Sequence, residues 1–305
     1  FDQVLDPSNQ MDKRTFSQRY FINSDFAEGN NSPVIYVLCG EGACDDGGFR
    51  GAVVNHAAKL KAHLVALEHR YYGLSQPFNE MTTENLQYLK TEYALADLAR
   101  FQDYITAQNH WTGSWIVSGG SYSGSLAAYY RLSYPTKVVG ALASSAPVEA
   151  KANFEEYDKN TTIVAGPQCS AAIRGVVKQV EKSFNNPTRF AEIKHLFNAD
   201  KVQSDVDFLY VIADMAAAAV QYGRSAEFCK AVLSSDPLTG YATAGKNVFA
   251  WLGITPLEDS LQGVKSTKAS DYTKGVGARQ WYWQTCTEYG YFQTAYSDAA
   301  SAARS

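Results

Sequence analysis

One short segment, Trp115 to Gly124, constrains the fold of this chain more than any other. An apolar run ends at Gly119-Gly120, Ser121 follows, and residues 125–132 have the composition of a packed helix. A strand, a sharp turn and a helix are therefore predicted in succession. A serine at the apex of such a turn has a strained backbone and an exposed hydroxyl, and the next N–H is directed at a developing oxyanion. The segment thus predicts an α/β protein with a nucleophile elbow at Ser121.

The elbow departs from the usual G-x-S-x-G pattern at one position. Ser123 stands where the last glycine is expected, and Gly124 follows it. If Ser123 were the nucleophile, no glycine would lie two positions away on either side, so we favour Ser121. The alternative is a glycine-rich turn of an ordinary α/β protein, because short motifs also occur by chance.

Apolar runs and helical patterns alternate through the first half of the chain. Runs typical of strands cover 15–21, 34–38, 63–69, 115–120 and 138–144, and helical patterns cover 52–60, 86–89, 93–107 and 125–132. Continuous apolar runs are typical of strands that are buried on both faces. The alternation predicts a parallel sheet with helices on both sides.

From residue 149 to residue 277 the pattern becomes helical. Apolar residues recur at helical spacing in three sets: Ile173, Val176, Val177, Val180 and Phe184; Phe190, Ile193 and Phe197; Phe208, Leu209, Ile212 and Met215. We interpret 149–277 as a helical insertion that covers an active site as a cap. It divides the chain into a core at 1–148, the insertion, and a return toward the core at 278–305.

Composition excludes several classes of function. With 46% hydrophobic and 19% charged residues among 305, the chain is expected to be globular, and its net charge of −4 without a basic run argues against nucleic-acid partners. No apolar run reaches the length of a membrane span. Two sequons make Asn30 and Asn160 candidate glycosylation sites and fit a secreted protein, and a start at Phe1 without an initiator Met indicates processing.

The five cysteines are Cys39, Cys44, Cys169, Cys229 and Cys286. They form no C-x-x-C pair and no histidine stands at metal-ligand spacing from them, so we predict no metal and no cofactor. Cys39 with Cys44 could close a small loop, and Cys169 with Cys229 could join helical segments. The remaining Cys286 would be either a thiol that pairs outside this chain or a buried free cysteine.

The loop after the strand at 34–38 is a candidate for the second oxyanion donor. Its sequence, Cys39-Gly40-Glu41-Gly42-Ala43, leaves backbone N–H groups free at the carboxyl end of a central strand, where open α/β sheets bind ligands. We expect an N–H of Glu41 or Gly42 to act beside the Tyr122 N–H. The alternative is a plain turn.

Six motifs together resemble a known family. They are Thr15-Phe16-x-Gln18-Arg19-Tyr20, Gly40-Glu41-Gly42, Glu68-His69-Arg70-Tyr71-Tyr72-Gly73, Ala94-Leu95-Ala96-Asp97, Gly119-Gly120-Ser121-Tyr122-x-Gly124 and Tyr282-x-Gln284-x-Cys286-Thr287-Glu288. These motifs and their order resemble those of the serine peptidases that include lysosomal prolyl carboxypeptidase, dipeptidyl peptidase II and fungal acid prolyl endopeptidases. The resemblance implies an α/β-hydrolase fold with a helical cap, a secreted or lysosomal/vacuolar location, and hydrolysis after proline in peptides or proteins at acidic pH.

The family pattern also requires a base and an acid. An α/β-hydrolase presents its triad in the order Ser, Asp, His, but four of the five histidines precede Ser121 and His195 lies in the helical insertion. By resemblance His69 is structural. We therefore expect the Asp and the His outside these 305 residues, on a companion segment that completes a sheet otherwise left incomplete at an apolar edge, residues 138–144. The alternatives are an esterase with the same elbow and a catalytically incomplete or non-enzymatic hydrolase-fold protein.

Overall fold

The structure is a computed structural model that describes residues 1–254, 262–298 and 302–303. It divides into two compact units. The first comprises residues 1–150 and 266–289, and the second comprises 151–265 and 290–305.

The first unit contains a mixed five-stranded sheet. Its strands are β3 (Tyr20–Asn23), β4 (Val34–Leu38), β5 (His63–Leu67), β6 (Trp115–Gly120) and β7 (Gly140–Ser144), in the order β3-β5-β4-β6-β7. β3 is antiparallel to β5, and the other neighbours are parallel. A small antiparallel ribbon of β1 (Asp2–Val4) and β2 (Thr15–Ser17) precedes the sheet.

Three helices connect these strands: α1 (Ala52–Leu60), α2 (Thr91–Asn109) and α3 (Tyr122–Ser133). Short 3₁₀ turns cover Asp45–Gly48, Asn85–Tyr88 and Ala269–Tyr272, and α10 (Ala278–Gln284) continues into a π-helical turn at Thr285–Tyr289. Each of the three helices lies in a connection between two parallel strands, which cannot be joined by a tight turn.

The two faces of the sheet are covered by different helices. Ile35 and Leu64 pack with Ala57 of α1 on one face. Tyr36 is directed to the other face, where its ring lies 6.1 Å from Phe101 of α2 and 6.4 Å from Tyr130 of α3. β4 and β5 are almost wholly buried for this reason, as their continuous apolar runs predict.

The second unit is mostly helical. Its helices are α4 (Glu156–Ser183), α5 (Pro187–Leu196), α6 (Asp205–Gln221), α7 (Ser225–Val232), α8 (Pro237–Trp251) and α9 (Gln262–Lys265). Ile173, Phe208 and Met215, three of the residues predicted on apolar faces, are at most 1% exposed in its core. The Cys169–Cys229 disulfide joins α4 to α7.

The unit boundaries differ from the sequence division in two places. Residues 266–277 lie in the first unit, and 290–305 lie in the second, where β9 (Gly290–Phe292) pairs in parallel with β8 (Lys151–Asn153). Neither short pairing segment carries a periodic pattern long enough to be detected. The role of the helical unit as a cap stays a prediction. Within the part of the chain that the structure describes, no helix combines the length and apolarity needed to span a bilayer.

Candidate active site

Ser121 lies at the apex of a strained strand-to-helix turn. It follows β6 directly, caps the N-terminus of α3, and has a φ of 59° and a ψ of −131°. A φ in this range is costly for a residue with a Cβ and indicates a functional constraint. The side chain is exposed, and no described residue hydrogen-bonds to its hydroxyl. The turn holds this hydroxyl available for chemistry.

Close backbone approach explains the glycines of the elbow. A Cβ at Gly119 would lie 2.1 Å from the Ser123 carbonyl oxygen, and one at Gly124 would lie 2.9 Å from that of Ser144. The Ser121 N–H donates to the same Ser144 oxygen at 3.0 Å, so the end of β7 also fixes the turn.

Ser123 has a structural task instead. Its hydroxyl donates to the Gly120 carbonyl at 2.8 Å and accepts from the Gly120 N–H at 3.1 Å, and the residue is buried. Ser123, which stands in place of the usual glycine, thus stabilises the turn by bonding to the Gly120 backbone. Its hydroxyl is bound on both sides, whereas that of Ser121 is free.

The loop at 39–44 lies beside the elbow. A Cβ at Gly40 would be 3.3 Å from the Ser123 Cβ, so this position has little room for a side chain. The Cys39–Cys44 disulfide closes the loop, and residues 275–277 tether it through the Ala43 N–H to the Gly275 carbonyl (2.9 Å) and the Gly277 N–H to the Glu41 carbonyl (3.0 Å). An open cavity lined by Gly40, Glu41, Gly42 and Ser123 faces this loop. Burial raises the pKa of the Glu41 carboxyl, and a bond from its own N–H offsets part of the rise.

None of the five histidines, all of which are described, hydrogen-bonds to Ser121. Both ring nitrogens of His69 are occupied, Nδ1 with the Arg70 carbonyl at 2.8 Å and Nε2 with the Tyr122 hydroxyl at 3.0 Å. His63 is bound to Ser24 and Gly29, and His195 pairs with Asp200 in the helical unit. His56 and His110 are exposed, at α1 and at the end of α2.

In the motif from Glu68 to Gly73, the Glu68 carboxylate is buried and accepts several hydrogen bonds. The Glu68 carboxylate, 0% exposed, accepts from Arg19 at 2.5 Å, from the Cys44 N–H at 2.9 Å and from the Ser75 hydroxyl at 2.7 Å. A Cβ at Gly73 would lie 1.9 Å from this carboxylate, so only glycine fits there. Glu68 therefore connects the loop at 39–44 to the start of β3.

Arg70 and Asp97 form a buried bidentate pair with both N···O distances at 2.6 Å. The other Arg70 donors reach the carbonyls of Val4, Leu5 and Tyr88, so all five N–H groups are bound. The pair joins β1, α2 and the segment that follows β5. Arg70 and Asp97 therefore connect segments of the sheet unit that carries the elbow.

The last motif has roles that the sequence did not indicate. The Gln284 amide donates to the Tyr122 hydroxyl at 2.7 Å. The Glu288 carboxylate accepts from the Thr91 N–H at 3.0 Å and from its hydroxyl at 2.8 Å, which caps the N-terminus of α2. Their place in a motif was visible, but partners 162 and 197 residues away along the chain leave no local pattern.

The remaining predicted residues are placed as follows. Both predicted disulfides are present, and Cys286 is free and exposed, so the alternative of a buried cysteine is wrong. Asn30 and Asn160 are exposed, Asn30 in a loop and Asn160 within α4. Their glycosylation stays a prediction.

Comparisons with known proteins agree on one family. A family model described as serine carboxypeptidase S28 matches residues 3–304. The chain is 37% identical over 310 residues to "Probable serine protease EDA2" of Arabidopsis thaliana, covering 97% of this chain and 62% of the relative. It is 30% identical over 318 residues to "Lysosomal Pro-X carboxypeptidase" of Mus musculus, covering 94% of this chain and 64% of the relative.

The chain thus spans under two thirds of the length of these relatives. Among solved structures, the proline iminopeptidase of Mycobacterium smegmatis is similar at 15% identity and a TM-score of 0.38, over 68% of each chain. The sheet order, the elbow and the family match agree on the predicted α/β-hydrolase class.

Proposed function

The chain belongs to the serine carboxypeptidase S28 family, and from this premise we propose that Ser121 is the nucleophile of a peptidase that cleaves on the carboxyl side of proline. The observation that carries the proposal is the contrast within the elbow. Ser121 is exposed at a positive φ with a free hydroxyl, whereas the hydroxyl of Ser123 is bound on both sides.

The proposed reaction passes through an acyl-enzyme. Ser121 Oγ attacks the carbonyl carbon of the proline residue while a base takes the hydroxyl proton, and the carbonyl oxygen becomes an oxyanion. Collapse of this intermediate expels the amine, which takes the proton from the base. Water then hydrolyses the ester and regenerates Ser121.

The proposed oxyanion donors are backbone amides at the elbow and the neighbouring loop. The Tyr122 N–H belongs to the first turn of α3, where amides have no partner within the helix. The second donor comes from Glu41 or Gly42. Both residues line the open cavity that Ser123 also lines.

The proline specificity rests on the relatives. One is named a lysosomal Pro-X carboxypeptidase, and the same name supports action at acidic pH in a lysosomal, vacuolar or secreted location. The two disulfides fit an oxidising compartment, in which Asn30 and Asn160 would be glycosylated.

We further propose that the catalytic Asp and His lie on a companion segment that completes the sheet beside β7. Two observations support it. First, all five histidines are described, and none of them hydrogen-bonds to Ser121. Second, β7 is an edge strand of the described sheet, and its Leu142 is 47% exposed. Native sheets rarely leave such an apolar edge uncovered.

The test is covalent labelling of the expressed full-length protein with a fluorophosphonate, followed by peptide mapping. We expect the label on Ser121 and its loss in Ser121→Ala. The matched variant Ser123→Ala should keep the label and lose about 1 kcal/mol of stability, because a buried hydroxyl with two bonds is removed. A label on any other serine would overturn the assignment.

Substrate class requires a separate assay. Proline-containing peptides are compared with matched alanine peptides and with short acyl esters. Turnover of the prolyl peptides alone supports the proposal, turnover of esters alone indicates an esterase, and no turnover by a labelled protein indicates a binding role for the fold.

A further inference from the structure

The side chain of Tyr122 lies at the centre of a buried hydrogen-bond network next to the elbow. Tyr122 follows the nucleophile, so its N–H is a proposed oxyanion donor while its ring is 1% exposed. The ring packs against Trp281 at 5.3 Å and Tyr289 at 5.5 Å between centroids. The ring and the N–H belong to the same residue, so a shift of the ring can displace the peptide that carries the N–H.

In each hydrogen bond of this network, the donor and the acceptor can be assigned. His69 Nδ1 faces the Arg70 carbonyl at 2.8 Å, which can only accept, so Nδ1 carries the proton and Nε2 accepts from the Tyr122 hydroxyl at 3.0 Å. At the other end, Gln284 Oε1 accepts from the Tyr72 hydroxyl at 2.6 Å, which directs the Gln284 NH₂ to the Tyr122 oxygen at 2.7 Å.

Gln284 is itself firmly placed. Gln284 is the last residue of α10 and is 0% exposed, and near the start of the helix Arg279 donates to the Met81 carbonyl at 2.7 Å. Just beyond the end of the helix, Glu288 binds the first residue of α2. The helix is therefore anchored at both ends to the sheet unit, independently of its contact with Tyr122.

We propose that Gln284 is a positioning residue for the oxyanion site, which holds the Tyr122 N–H in its productive direction through the Tyr122 hydroxyl. This inference rests on the proposed function, because it requires Ser121 as the nucleophile and the Tyr122 amide as a donor. Small displacements matter here. A misplacement of about 1 Å can cost about 100-fold in rate, and loss of one oxyanion donor costs about 100- to 1000-fold.

The chain offers a matched control one helical turn away. Gln280 and Gln284 are both fully buried amides on α10, but of these two residues only Gln284 has a described hydrogen bond to Tyr122. Replacement by Met keeps side-chain length and removes the donor. Gln284→Met is expected to lower kcat on a prolyl peptide about 10- to 100-fold with KM nearly unchanged, because the lost contact acts on the transition state. Gln280→Met is expected to change kcat less than twofold at a similar loss of thermal stability.

A second variant tests the same contact from the other side. Tyr122→Phe keeps the ring and removes the hydroxyl, so it should reproduce the fall in kcat even if Gln284→Met does not fold. The double variant should be no slower than the slower single variant, because both single variants already remove the bond between Gln284 and Tyr122. Equal loss of kcat in Gln280→Met and Gln284→Met, or wild-type kcat in both Gln284→Met and Tyr122→Phe, would overturn the inference.

Labelling separates this inference from the proposed function. All variants are treated with a fluorophosphonate in the expressed full-length protein, and the rate of Ser121 modification is measured. A slower rate in Gln284→Met but not in Gln280→Met supports the positioning role. An unchanged rate in Gln284→Met refutes it while the function stands, and absence of Ser121 labelling in the unsubstituted protein refutes both.

Discussion

At the scale of single residues, His69 shows how a motif residue serves the scaffold. Its imidazole is 5% exposed, and burial lowers its pKa from 6.5 to about 4, with the Arg70 charge adding to the effect and the bond to the Arg70 carbonyl opposing it. The ring is therefore neutral in the folded protein, and its Nε2 remains an acceptor for Tyr122. A base for Ser121 would need that nitrogen free.

The lowered pKa of His69 predicts a pH-dependent stability. Between pH 6.5 and 4 the unfolded chain binds a proton that the folded chain does not, so the free energy of unfolding falls as the pH falls through this window. The loss from this residue is about 2 kcal/mol between pH 6.5 and 4.5. We expect His69→Gln to flatten the slope by that amount in urea titrations at each pH.

The control for this measurement is His195→Gln, since His195 is 81% exposed and lies in the other unit. It should retain the slope of the unsubstituted protein. A His69→Gln variant with that same slope would show that the imidazole is not buried and neutral.

Sequence reasoning was informative at the residue scale where chemistry is local. Ser121 and the adjacent glycines form a pattern within six residues, and the structure gives this segment the elbow geometry. The partners of Gln284 and Glu288 depend instead on α10 returning to the sheet unit. No spacing rule connects residues so far apart.

At the scale of elements, the N-terminus of α2 depends on a distant carboxylate. The helix begins at Thr91 after Lys90, whose side chain provides no cap, and Glu288 accepts from both the N–H and the hydroxyl of Thr91. An anion at this position satisfies an unpaired amide and interacts favourably with the helix dipole. Glu288 therefore joins the π-helical turn to α2.

We expect Glu288→Ala to lower the free energy of unfolding by about 1 kcal/mol, the usual cost of losing a helix cap. Part of the loss should disappear at high salt because the dipole interaction is screened. Glu84→Ala is the control, since Glu84 is exposed and its carboxylate binds no described residue; its effect should stay within about 0.5 kcal/mol. Equal losses in urea unfolding would contradict the capping role.

Periodicity predicted the long elements and missed the short ones. α1 occupies Ala52–Leu60 as predicted, whereas the predicted strand at 15–21 divides into β2 and β3 in different sheets. The division falls at Gln18 and Arg19, whose side chains bind the carbonyl and the carboxylate of Glu68. Tertiary hydrogen bonds therefore decide where the alternating pattern breaks.

At the scale of the whole molecule, the sequence predicted the change from an α/β unit to a helical unit but not which segments return. Residues 266–277 belong to the sheet unit through bridges such as Gly42 with Val276 and Glu80 with Lys268. Single bridges involve too few residues to produce a period. The return is fixed by pairing partners rather than by local propensity.

The last prediction concerns residues 1–305 expressed alone. In the described sheet β7 pairs only with β6, and its Leu142 is 47% exposed. An open apolar edge strand is a template for another chain. If a companion segment normally covers β7, this polypeptide should associate as its concentration rises and should hydrolyse prolyl peptides orders of magnitude more slowly than the full-length protein, because the oxyanion site alone gives only residual catalysis.

Two matched substitutions locate the association surface. Leu142→Lys places a charge on the edge strand and should shift the polypeptide toward monomer in sedimentation velocity, because charged edge strands resist pairing. Leu132→Lys places the same charge on α3, where the leucine is 80% exposed, and should leave the association unchanged. Equal behaviour of the two variants would rule out β7 as the surface. A fully active monomer of residues 1–305 would show that the base is present within this chain.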